Sequence, residues 1–325
     1  MRNEFLAEII NKCLVNHPCE IEVRYDEPMK EHTTFKVGGL ADCWIGLKPS
    51  SDDFSNDKYT SFFIELLSSA KEAGIPVFIL GGGANIVVSD KGIRGIVLDM
   101  TEWKSLTPSF VNENELIFRS GTSLNDAANL AYASGLSGLE FLAGMPGTIG
   151  GAVWMNARCY GSEIADVLSR VELINKEQRA KSKEQSSIDK SGFSYKKSPF
   201  QEMDCLILNA AFKLKKGDKD KILAQMEKNR QDRKDKGHYL FPSAGSAFKN
   251  NPSFGKPSGQ IIDELGLKGY QIGGAQIAPF HGNFIINTGN AAAADIRLLV
   301  DEVIAKVKTA TGHMLEPEIL FVGDW

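Results

Sequence analysis

Three consecutive glycines, Gly81 to Gly83, follow the apolar run that ends at Leu80, and they limit the folds open to this chain. In the common dinucleotide-binding fingerprint the glycines open a helix, whose N-terminal N–H groups receive a pyrophosphate. Here the β-branched residues that begin at Ile86 follow instead, and they favour a strand. We therefore predict a glycine loop between two strands. It forms either a simple tight turn or a phosphate site built from its own backbone N–H groups.

A second glycine-rich stretch runs from Leu136 to Asn156, directly after a predicted helix over Gly121–Gly135 that Ser123 can cap. Bare backbone of this kind can lie against a large flat ligand and turn its N–H groups toward phosphates, or it can simply pack closely within the protein. Two such loops in one chain favour a cofactor site. The residues that would form the second loop are Gly144, Pro146, Gly147, Gly150 and Gly151.

A third stretch, Phe241–Pro252, suits no regular element because Pro242 lacks an N–H and Gly245 is conformationally free. We predict a shaped loop that presents polar groups to a ligand. On local grounds alone, a surface turn with a serine bonded to nearby backbone is the alternative. The polar groups are those of Ser246, Lys249, Asn250 and Asn251.

Length, charge and composition limit the number of domains, the binding partners and the location to be expected of this protein. A chain of 325 residues predicts two or three domains, and a net charge of −4 argues against attraction of the whole surface to nucleic acid or anionic lipid. No apolar stretch has the length of a signal peptide core or a membrane span, so we expect a cytoplasmic protein. Five scattered cysteines indicate free thiols and no metal site.

In sequence order, these motifs resemble the UDP-N-acetylenolpyruvoylglucosamine reductase (MurB) family, over about His32 to Gly323. Each motif alone is weak, but their order and spacing are specific. The motifs are His32-Thr-Thr-Phe-Lys-Val-Gly-Gly39, Gly81-Gly-Gly-Ala-Asn85, Gly138-Leu-Glu140, Gly144-Met-Pro-Gly-Thr-Ile-Gly-Gly151, Gly245-Ser-Ala-Phe-Lys-Asn250, Gly266-Leu-Lys-Gly269, Gly273-Gly-Ala-Gln276 and Leu315-Glu-Pro-Glu318.

The resemblance implies an α+β fold: an FAD-binding fold of the PCMH/VAO type (p-cresol methylhydroxylase and vanillyl-alcohol oxidase) with two subdomains, and a C-terminal α/β substrate-binding domain. We place the subdomains at 1–98 and 99–216, the substrate domain at 217–313 and a closing strand at 314–325. The resemblance also implies non-covalent FAD, and the loop 81–90 has no histidine for covalent attachment. The FAD-binding residues would be Thr33, Thr34, Val37, Gly38, Gly81, Gly82, Gly83, Ala84, Asn85, Gly121, Gly144, Pro146, Gly147, Thr148, Gly150 and Gly151.

The reaction that the resemblance implies is reduction of UDP-N-acetylglucosamine enolpyruvate to UDP-N-acetylmuramate in peptidoglycan precursor synthesis, with NADPH as hydride donor to FAD. Ser246 matches the proton-donating serine of the family. Glu318 matches its catalytic glutamate, with Glu316 as the less favoured choice. The implied contacts to the UDP-sugar are Tyr195, Lys249, Asn250 and Gln276.

One position departs from the family pattern. Where the family has Tyr-Arg-x-Ser, this chain has Tyr195-Lys-Lys-Ser198, which puts Lys196 at the place of the catalytic arginine. Lysine keeps the charge but not the planar fork of arginine. We hypothesise that Arg158 partly compensates.

Two other functions remain open from the sequence: a flavin oxidase on the same scaffold, and a non-catalytic binder of flavin or nucleotide sugar, which Lys196 makes conceivable. The motif that ends at Glu318 and the one that contains Ser246 favour the reductase. The tyrosine-bearing insertion of the longer family type is not evident between Ser198 and Phe241, which indicates the shorter type. We expect a monomer or a weak oligomer.

Overall fold

The computed structural model describes residues 2–48, 57–175, 184–187 and 190–325, which form two compact units. Unit 2 combines the C-terminal part of the chain with two early segments, so its core depends on contacts between residues far apart in sequence. The predicted boundaries near 98, 216 and 313 stay predictions. Unit 1 comprises Met1–Asp26, Asp42–Gly82 and Gly95–Arg230, and unit 2 comprises Glu27–Ala41, Gly83–Arg94 and Gln231–Trp325.

The described part of the chain contains both helices and runs of consecutive strands, such as those between Val77 and Arg119, in keeping with the predicted α+β class. None of the helices described is long and apolar enough to cross a membrane. The helices are α1 (Arg2–Asn16), α2 (Asp57–Glu72), α3 (Leu124–Ala133), α4 (Ile149–Met155), α5 (Ile164–Val167), α6 (Lys219–Asp235), α7 (Ser258–Glu264) and α8 (Ala293–Thr311). The strands are β1 (Ile21–Pro28), β2 (Leu40–Leu47), β3 (Val77–Leu80), β4 (Ile86–Val88), β5 (Ile93–Asp99), β6 (Ser109–Asn112), β7 (Glu115–Arg119), β8 (Leu136–Ser137), β9 (Arg158–Cys159), β10 (Ser162–Glu163), β11 (Leu168–Asn175), β12 (Glu184–Ser187), β13 (Cys205–Lys213), β14 (Lys215–Lys216), β15 (Ser243–Ser246), β16 (Gln271–Ile272), β17 (Ala275–Ile277), β18 (Phe284–Asn287) and β19 (Leu320–Val322).

Two larger sheets organise unit 1. The first has the strand order β1-β2-β5-β3, and α2 buries Phe62, Phe63 and Leu66 in the same core. The second is antiparallel with the order β12-β11-β13-β7-β6, in which Val171 pairs with Ala210 and Ala210 with Phe118. The helices α3 and α4 contribute buried apolar residues to the core of this second sheet. Burial of one apolar face per helix is the main source of their stability.

Unit 2 is built on an antiparallel sheet with the order β15-β18-β17-β16. The long helix α8 contributes buried apolar residues at helical spacing to the same core, including Leu299 and Val303. Asp90 accepts hydrogen bonds from the N–H groups of Ala293 and Ala294, both at 2.9 Å, at the beginning of α8. A carboxylate there satisfies orphan donors and complements the helix dipole.

The structure corrects three local predictions. The stretch 241–252 is not entirely irregular, because 243–246 forms β15 against β18, with a register shift and Gly245 at φ 74°. The second glycine stretch contains a short helix, α4, and not only loop. The closing strand is confined to Leu320–Val322, where it pairs in parallel with β4. In each case distant partners override local propensity.

Candidate active site

The two predicted glycine loops meet in unit 1. Gly81 and Gly82 follow β3, and no helix comes after the loop, as predicted. A Cβ on Gly82 would lie 2.9 Å from the Cα of Gly147, and one on Gly81 would lie 2.5 Å from the Oγ1 of Thr148. Real Cβ atoms do not approach that closely, so glycine is required for this contact.

Two buried hydroxyl groups beside these glycines have no hydrogen-bond partner among the described residues. They belong to Thr148, which is 5% exposed, and to Ser120, which is 4% exposed. A buried polar group without a partner costs about 1–3 kcal/mol, so a bound molecule that supplies a partner is favoured here. This observation fits the polar groups of a dinucleotide cofactor.

Other predicted cofactor residues of unit 1 have packing roles in the protein itself. A Cβ on Gly121 would collide with the carbonyl oxygen of Met100, and one on Gly150 would lie 2.8 Å from the Cβ of Ser120. The N–H of Gly144 donates to the Oδ1 of Asn125 at 2.7 Å. Pro146 and Gly151 are exposed. Their contacts with a cofactor remain predictions.

In unit 2 the predicted loop from His32 to Gly39 rests on Gly83. The N–H of Thr34 donates to the Gly83 carbonyl at 3.1 Å, and a Cβ on Gly83 would collide with the carbonyl oxygen of His32. Thr33 donates its hydroxyl to the Val37 carbonyl at 3.1 Å, which closes the loop on itself. The remaining predicted cofactor residues of unit 2 include a buried core residue and two residues close to β4: Val37 is in the core, Gly38 approaches Val88, and Ala84 precedes β4.

Asn85 connects this glycine loop to the C-terminal segment. Its Nδ2 donates to the Glu318 carbonyl at 3.1 Å, and its own carbonyl accepts the N–H of Leu320 at 3.0 Å. The β4–β19 pair continues this contact. A predicted cofactor residue therefore also anchors the backbone that carries the predicted catalytic glutamate.

Ser246 and Glu318 lie on adjacent segments of unit 2. The N–H of Glu318 donates to the carbonyl of Ala247 at 2.8 Å, one residue beyond Ser246. Phe248 and Pro317 form an antiparallel bridge next to this contact. The Ser246 side chain is half-buried, and its hydroxyl makes no hydrogen bond to the described residues. The structure thus brings the two predicted catalytic residues together.

Burial separates the two candidate glutamates. Glu318 is only 9% exposed, whereas the side chain of Glu316 is 68% exposed and forms an ion pair with Lys249. An exposed ion pair of this kind is the usual state of a surface glutamate. Burial therefore distinguishes the two side chains, and the catalytic role of Glu318 rather than Glu316 stays a prediction.

Lys196 lies in a tight turn of unit 1 that carries Tyr195 as well. The backbone groups of Ser194 and Lys197 exchange hydrogen bonds at 3.0 and 3.1 Å across this turn, and Lys196 has φ 58°. The guanidinium of Arg158 lies 5.8 Å from the centre of the Tyr195 ring. The predicted cation and its hypothesised helper are therefore near each other in the fold.

Comparison with known proteins decides the family. A model for an FAD binding domain matches residues 61–179, and a model for the C-terminal domain of UDP-N-acetylenolpyruvoylglucosamine reductase matches 235–322. The reductase of Borrelia garinii subsp. bavariensis is 42% identical over 292 residues, covering 90% of this chain and 90% of that protein. That of Treponema denticola is 39% identical over 314 residues, covering 93% and 94%. The chain belongs to the UDP-N-acetylenolpyruvoylglucosamine reductase family.

The crystal structure of the family member from Thermus caldophilus agrees with this assignment. It is 32% identical and has a TM-score of 0.72, covering 94% of this chain and 100% of that one. The predicted α+β FAD-binding fold is confirmed, and the chain is a flavin-dependent oxidoreductase with FAD as its cofactor. The buried hydroxyls of Thr148 and Ser120 are consistent with that cofactor.

Three of the four predicted contacts to substrate lie in unit 2 and have partners there. Lys249 pairs with Glu316, and the Oδ1 of Asn250 accepts the N–H of Ser258 at 2.9 Å. The Nε2 of Gln276 donates to the Gly269 carbonyl at 3.2 Å. These bonds give the side chains fixed positions, and their role in binding the UDP-sugar remains a prediction.

Sequence reasoning missed residues that hold the site without touching a ligand. Asn283, which is 5% exposed, accepts the N–H of Phe248 at 3.0 Å and donates to its carbonyl at 2.8 Å, two residues from Ser246. Asn156 and Gln201 play a similar part near Lys196. Nothing in the sequence distinguishes these residues from other polar residues, so their role could not be predicted.

Proposed function

We propose that this chain reduces UDP-N-acetylglucosamine enolpyruvate to UDP-N-acetylmuramate in peptidoglycan precursor synthesis, with NADPH as the electron donor. The single observation that carries the proposal is the placement of buried Glu318 beside Ser246, in a chain that contains an FAD-binding domain. We further propose that it works in the cytoplasm, where NADPH and nucleotide sugars are supplied, as a monomer or a weak oligomer.

FAD, when bound, would supply the redox chemistry of the reaction, which is hydride transfer from NADPH to the vinyl carbon of the enolpyruvyl group. In unit 1, the residues that would hold it are those of the two glycine loops, with Thr148 as a hydrogen-bonding group. In unit 2, they are those of the loop that starts at Thr33 and of the segment from Gly83 to Asn85.

Ser246 is the proton donor in this proposal. Hydride addition at the vinyl carbon leaves an electron pair on the neighbouring α-carbon, delocalised into the carboxylate, and a proton must be added to that carbon. A serine hydroxyl is a weak acid, so it must be aimed at the developing charge. The Ser246 hydroxyl makes no hydrogen bond to the described residues and is half-buried, which leaves it available for this transfer.

Glu318 and Lys196 support the charge that develops during the reaction. The backbone of Glu318 is hydrogen-bonded to the residue after Ser246, and its carboxyl would offer a hydrogen-bonding group to the enolate-like state. Lys196 provides a cation for the substrate carboxylate in place of the family arginine, and Arg158, beside Tyr195, adds positive charge near the same turn. Groups fixed in advance stabilise a transition state more than groups that must reorganise.

Two half-reactions test the proposal. Under anaerobic conditions NADPH should bleach the bound flavin, and the enolpyruvyl UDP-sugar should then restore the oxidised spectrum with formation of one lactyl ether per flavin. A flavin oxidase would instead be reoxidised by oxygen and not by the sugar. The flavin of a non-catalytic binding protein would not be reduced by NADPH, or would not be reoxidised by the sugar. The result expected for an oxidase and the result expected for a binding protein would each overturn the proposal.

A further inference from the structure

The C-terminal end of helix α4 is hydrogen-bonded to the segment that follows the turn containing Lys196. The Trp154 carbonyl, in the last turn of α4, accepts the Ser198 hydroxyl at 2.6 Å and the Nε2 of Gln201 at 3.0 Å. Carbonyl groups in the last turn of a helix have no partner within the helix, so side chains commonly satisfy them. Here both donors come from the segment that immediately follows Lys196.

The amide of Gln201 is saturated by two carbonyl groups. Besides the Trp154 carbonyl, its Nε2 donates to the carbonyl of Lys196 itself, also at 3.0 Å. An amide nitrogen has two hydrogens, and both are used here. The reversed orientation would place the amide oxygen against two carbonyl oxygens, so this orientation is strongly favoured.

Asn156 ties the other side of the same turn. It caps α4 in a left-handed conformation (φ 46°) and is fully buried. Its Nδ2 donates to the Ser194 carbonyl at 2.9 Å, while its Oδ1 accepts the N–H of Ala165 at 3.1 Å. The turn from Ser194 to Lys197 is therefore bound at both of its sides.

Lys196 needs such support because its own backbone is strained. It has φ 58°, a left-handed conformation that costs a residue with a Cβ about 1–2 kcal/mol. Such conformations persist where surrounding bonds over-determine them, and they cluster at functional sites. A lysine also lacks the rigid fork that orients an arginine, so its backbone must be well placed if the ammonium is to be.

The opposite end of α4 is fixed beside the cofactor loop. The N–H groups of Ile149 and Gly150 donate to the carbonyls of Thr122 and Ser120 at 2.9 and 2.7 Å, directly after Thr148. A seven-residue helix spans about 10 Å, so α4 is a short rigid spacer. It connects the glycine loop to the turn of Lys196 within unit 1.

We propose that Gln201, Ser198 and Asn156 are positioning residues, which act on the reaction by fixing Lys196 against the end of α4. The inference rests on the proposed role of Lys196. It predicts that loss of these bonds slows the step that involves the substrate carboxylate, while flavin binding and flavin reduction by NADPH continue.

The test compares variants of the holoenzyme in both half-reactions. Gln201→Glu keeps the shape but turns a carboxylate toward two carbonyl oxygens, Ser198→Ala removes one donor, and Gln225→Leu removes a glutamine bond to Asn229 on α6 as the matched control. We expect flavin reoxidation by the enolpyruvyl sugar to slow about tenfold or more in Gln201→Glu, since small misplacements of reacting groups are costly. We expect Gln225→Leu to match wild type and Ser198→Thr, which keeps a hydroxyl, to recover most of the loss seen in Ser198→Ala.

A double-mutant cycle with Lys196→Ala decides whether the effect passes through the lysine. If Gln201 acts only by positioning Lys196, Gln201→Glu should add little further loss in the Lys196→Ala background, because coupled residues are not additive. Additive losses, or a parallel loss of flavin content and thermal midpoint, would overturn the positioning role while leaving that of Lys196 intact. A fully active Lys196→Ala single variant would instead overturn the role of the lysine. If Gln201→Glu does not fold, the cycle with Ser198→Ala gives the same comparison.

Discussion

At the scale of single residues, burial and backbone contact distinguish side chains that the sequence alone leaves equivalent. Glu316 and Glu318 are two residues apart in one motif, yet one is in an exposed ion pair and the other is 9% exposed beside the segment of Ser246. Residues two apart on a regular extended segment would share a face, so the difference comes from their separate contacts: Glu316 pairs with Lys249, whereas the N–H of Glu318 donates to the Ala247 carbonyl. A catalytic role can therefore be tested by substituting Glu318, with the same substitution of Glu316 as the control.

Glu318→Gln should slow flavin reoxidation by the enolpyruvyl sugar by about 10²-fold or more, as loss of a charge-stabilising group in a preorganised site does. Glu316→Gln is the matched control, and it should stay within about fivefold of wild type, since an exposed ion pair contributes at most about 1 kcal/mol. Single-turnover stopped-flow absorbance of the reduced flavin measures both. Equal losses in the two variants would argue against a special role for Glu318.

The substitution of lysine for arginine gives a second prediction at this scale. Lys196→Ala should weaken turnover strongly, whereas Lys196→Arg should retain activity, because arginine is the residue at the family position. Arg158→Ala should cause a smaller loss if the guanidinium beside Tyr195 contributes charge to the same turn. Steady-state kcat and KM for the enolpyruvyl sugar measure all three. Full activity of Lys196→Ala would remove the lysine from the mechanism.

At the scale of elements, amphipathic helices and strands with an apolar run were predictable, whereas the strand β15 and the helix α4 were not. The apolar residues of α8 recur at helical spacing, which makes this helix recognisable from the sequence. Ser123 caps α3 as predicted, with its hydroxyl accepting the N–H of Asp126 at 3.0 Å. The strand β15 was missed because its partner β18 is about 40 residues away and no local signal encodes that pairing. The helix α4 was missed because its glycines have low helix propensity, and its ends are satisfied by distant groups.

The candidate site follows the same division. The glycine loops were predictable from residue type, because close backbone approach requires glycine. The roles of Ser246 and Glu318 come from the family resemblance and stay predictions. The residues that support the site were not predictable, since Asn283 and Gln201 act through three-dimensional contacts with main-chain carbonyls or N–H groups. A polar side chain that forms hydrogen bonds with distant main-chain groups cannot be recognised from a single sequence.

The contact between the two glycine loops gives a prediction at the scale of elements. Gly82→Ala should weaken FAD binding by about tenfold or more, because its Cβ would lie 2.9 Å from the backbone of Gly147 and the loops must separate. Gly74→Ala is the control: it strains a left-handed position after α2 (φ 68°) but leaves space around the new Cβ. It should lower the thermal midpoint without releasing flavin. Flavin fluorescence titration and thermal unfolding separate the two effects.

At the scale of the whole molecule, unit 2 is formed by three separated segments of the chain. Its fold therefore depends on long-range contacts. Its C-terminal region packs two half-buried histidines against the fully buried ring of Phe284, with ring centres at 4.5 Å for His238 and 4.1 Å for His281. Burial, together with nearby Arg233, lowers the pKa of His238 to about 3, and burial lowers the pKa of His281. Both rings are therefore neutral in the folded protein at neutral pH.

These shifts predict a loss of stability in acid. Unfolded histidines have a pKa of about 6.5, so below that pH the unfolded chain binds protons that the folded chain does not, and folding weakens as pH falls from 6.5 toward 3. Above pH 6.5 the two states bind equally, and the contribution is fully present. Urea unfolding at pH 7.5 and 5.0 should show a smaller difference for His238→Gln than for wild type. An unchanged difference would contradict the assigned shift.

The central claim is that Ser246, beside Glu318, completes a reduction that the flavin begins. The most direct measurement mixes anaerobically reduced Ser246→Ala enzyme with the enolpyruvyl UDP-sugar and follows flavin reoxidation, with Ser243→Ala in the same strand as control. We predict normal reduction by NADPH in both variants, but reoxidation about 10²- to 10⁴-fold slower in Ser246→Ala, the range expected for loss of a proton donor. Reoxidation of Ser246→Ala at the rate of wild type, with lactyl ether formed, would contradict the account.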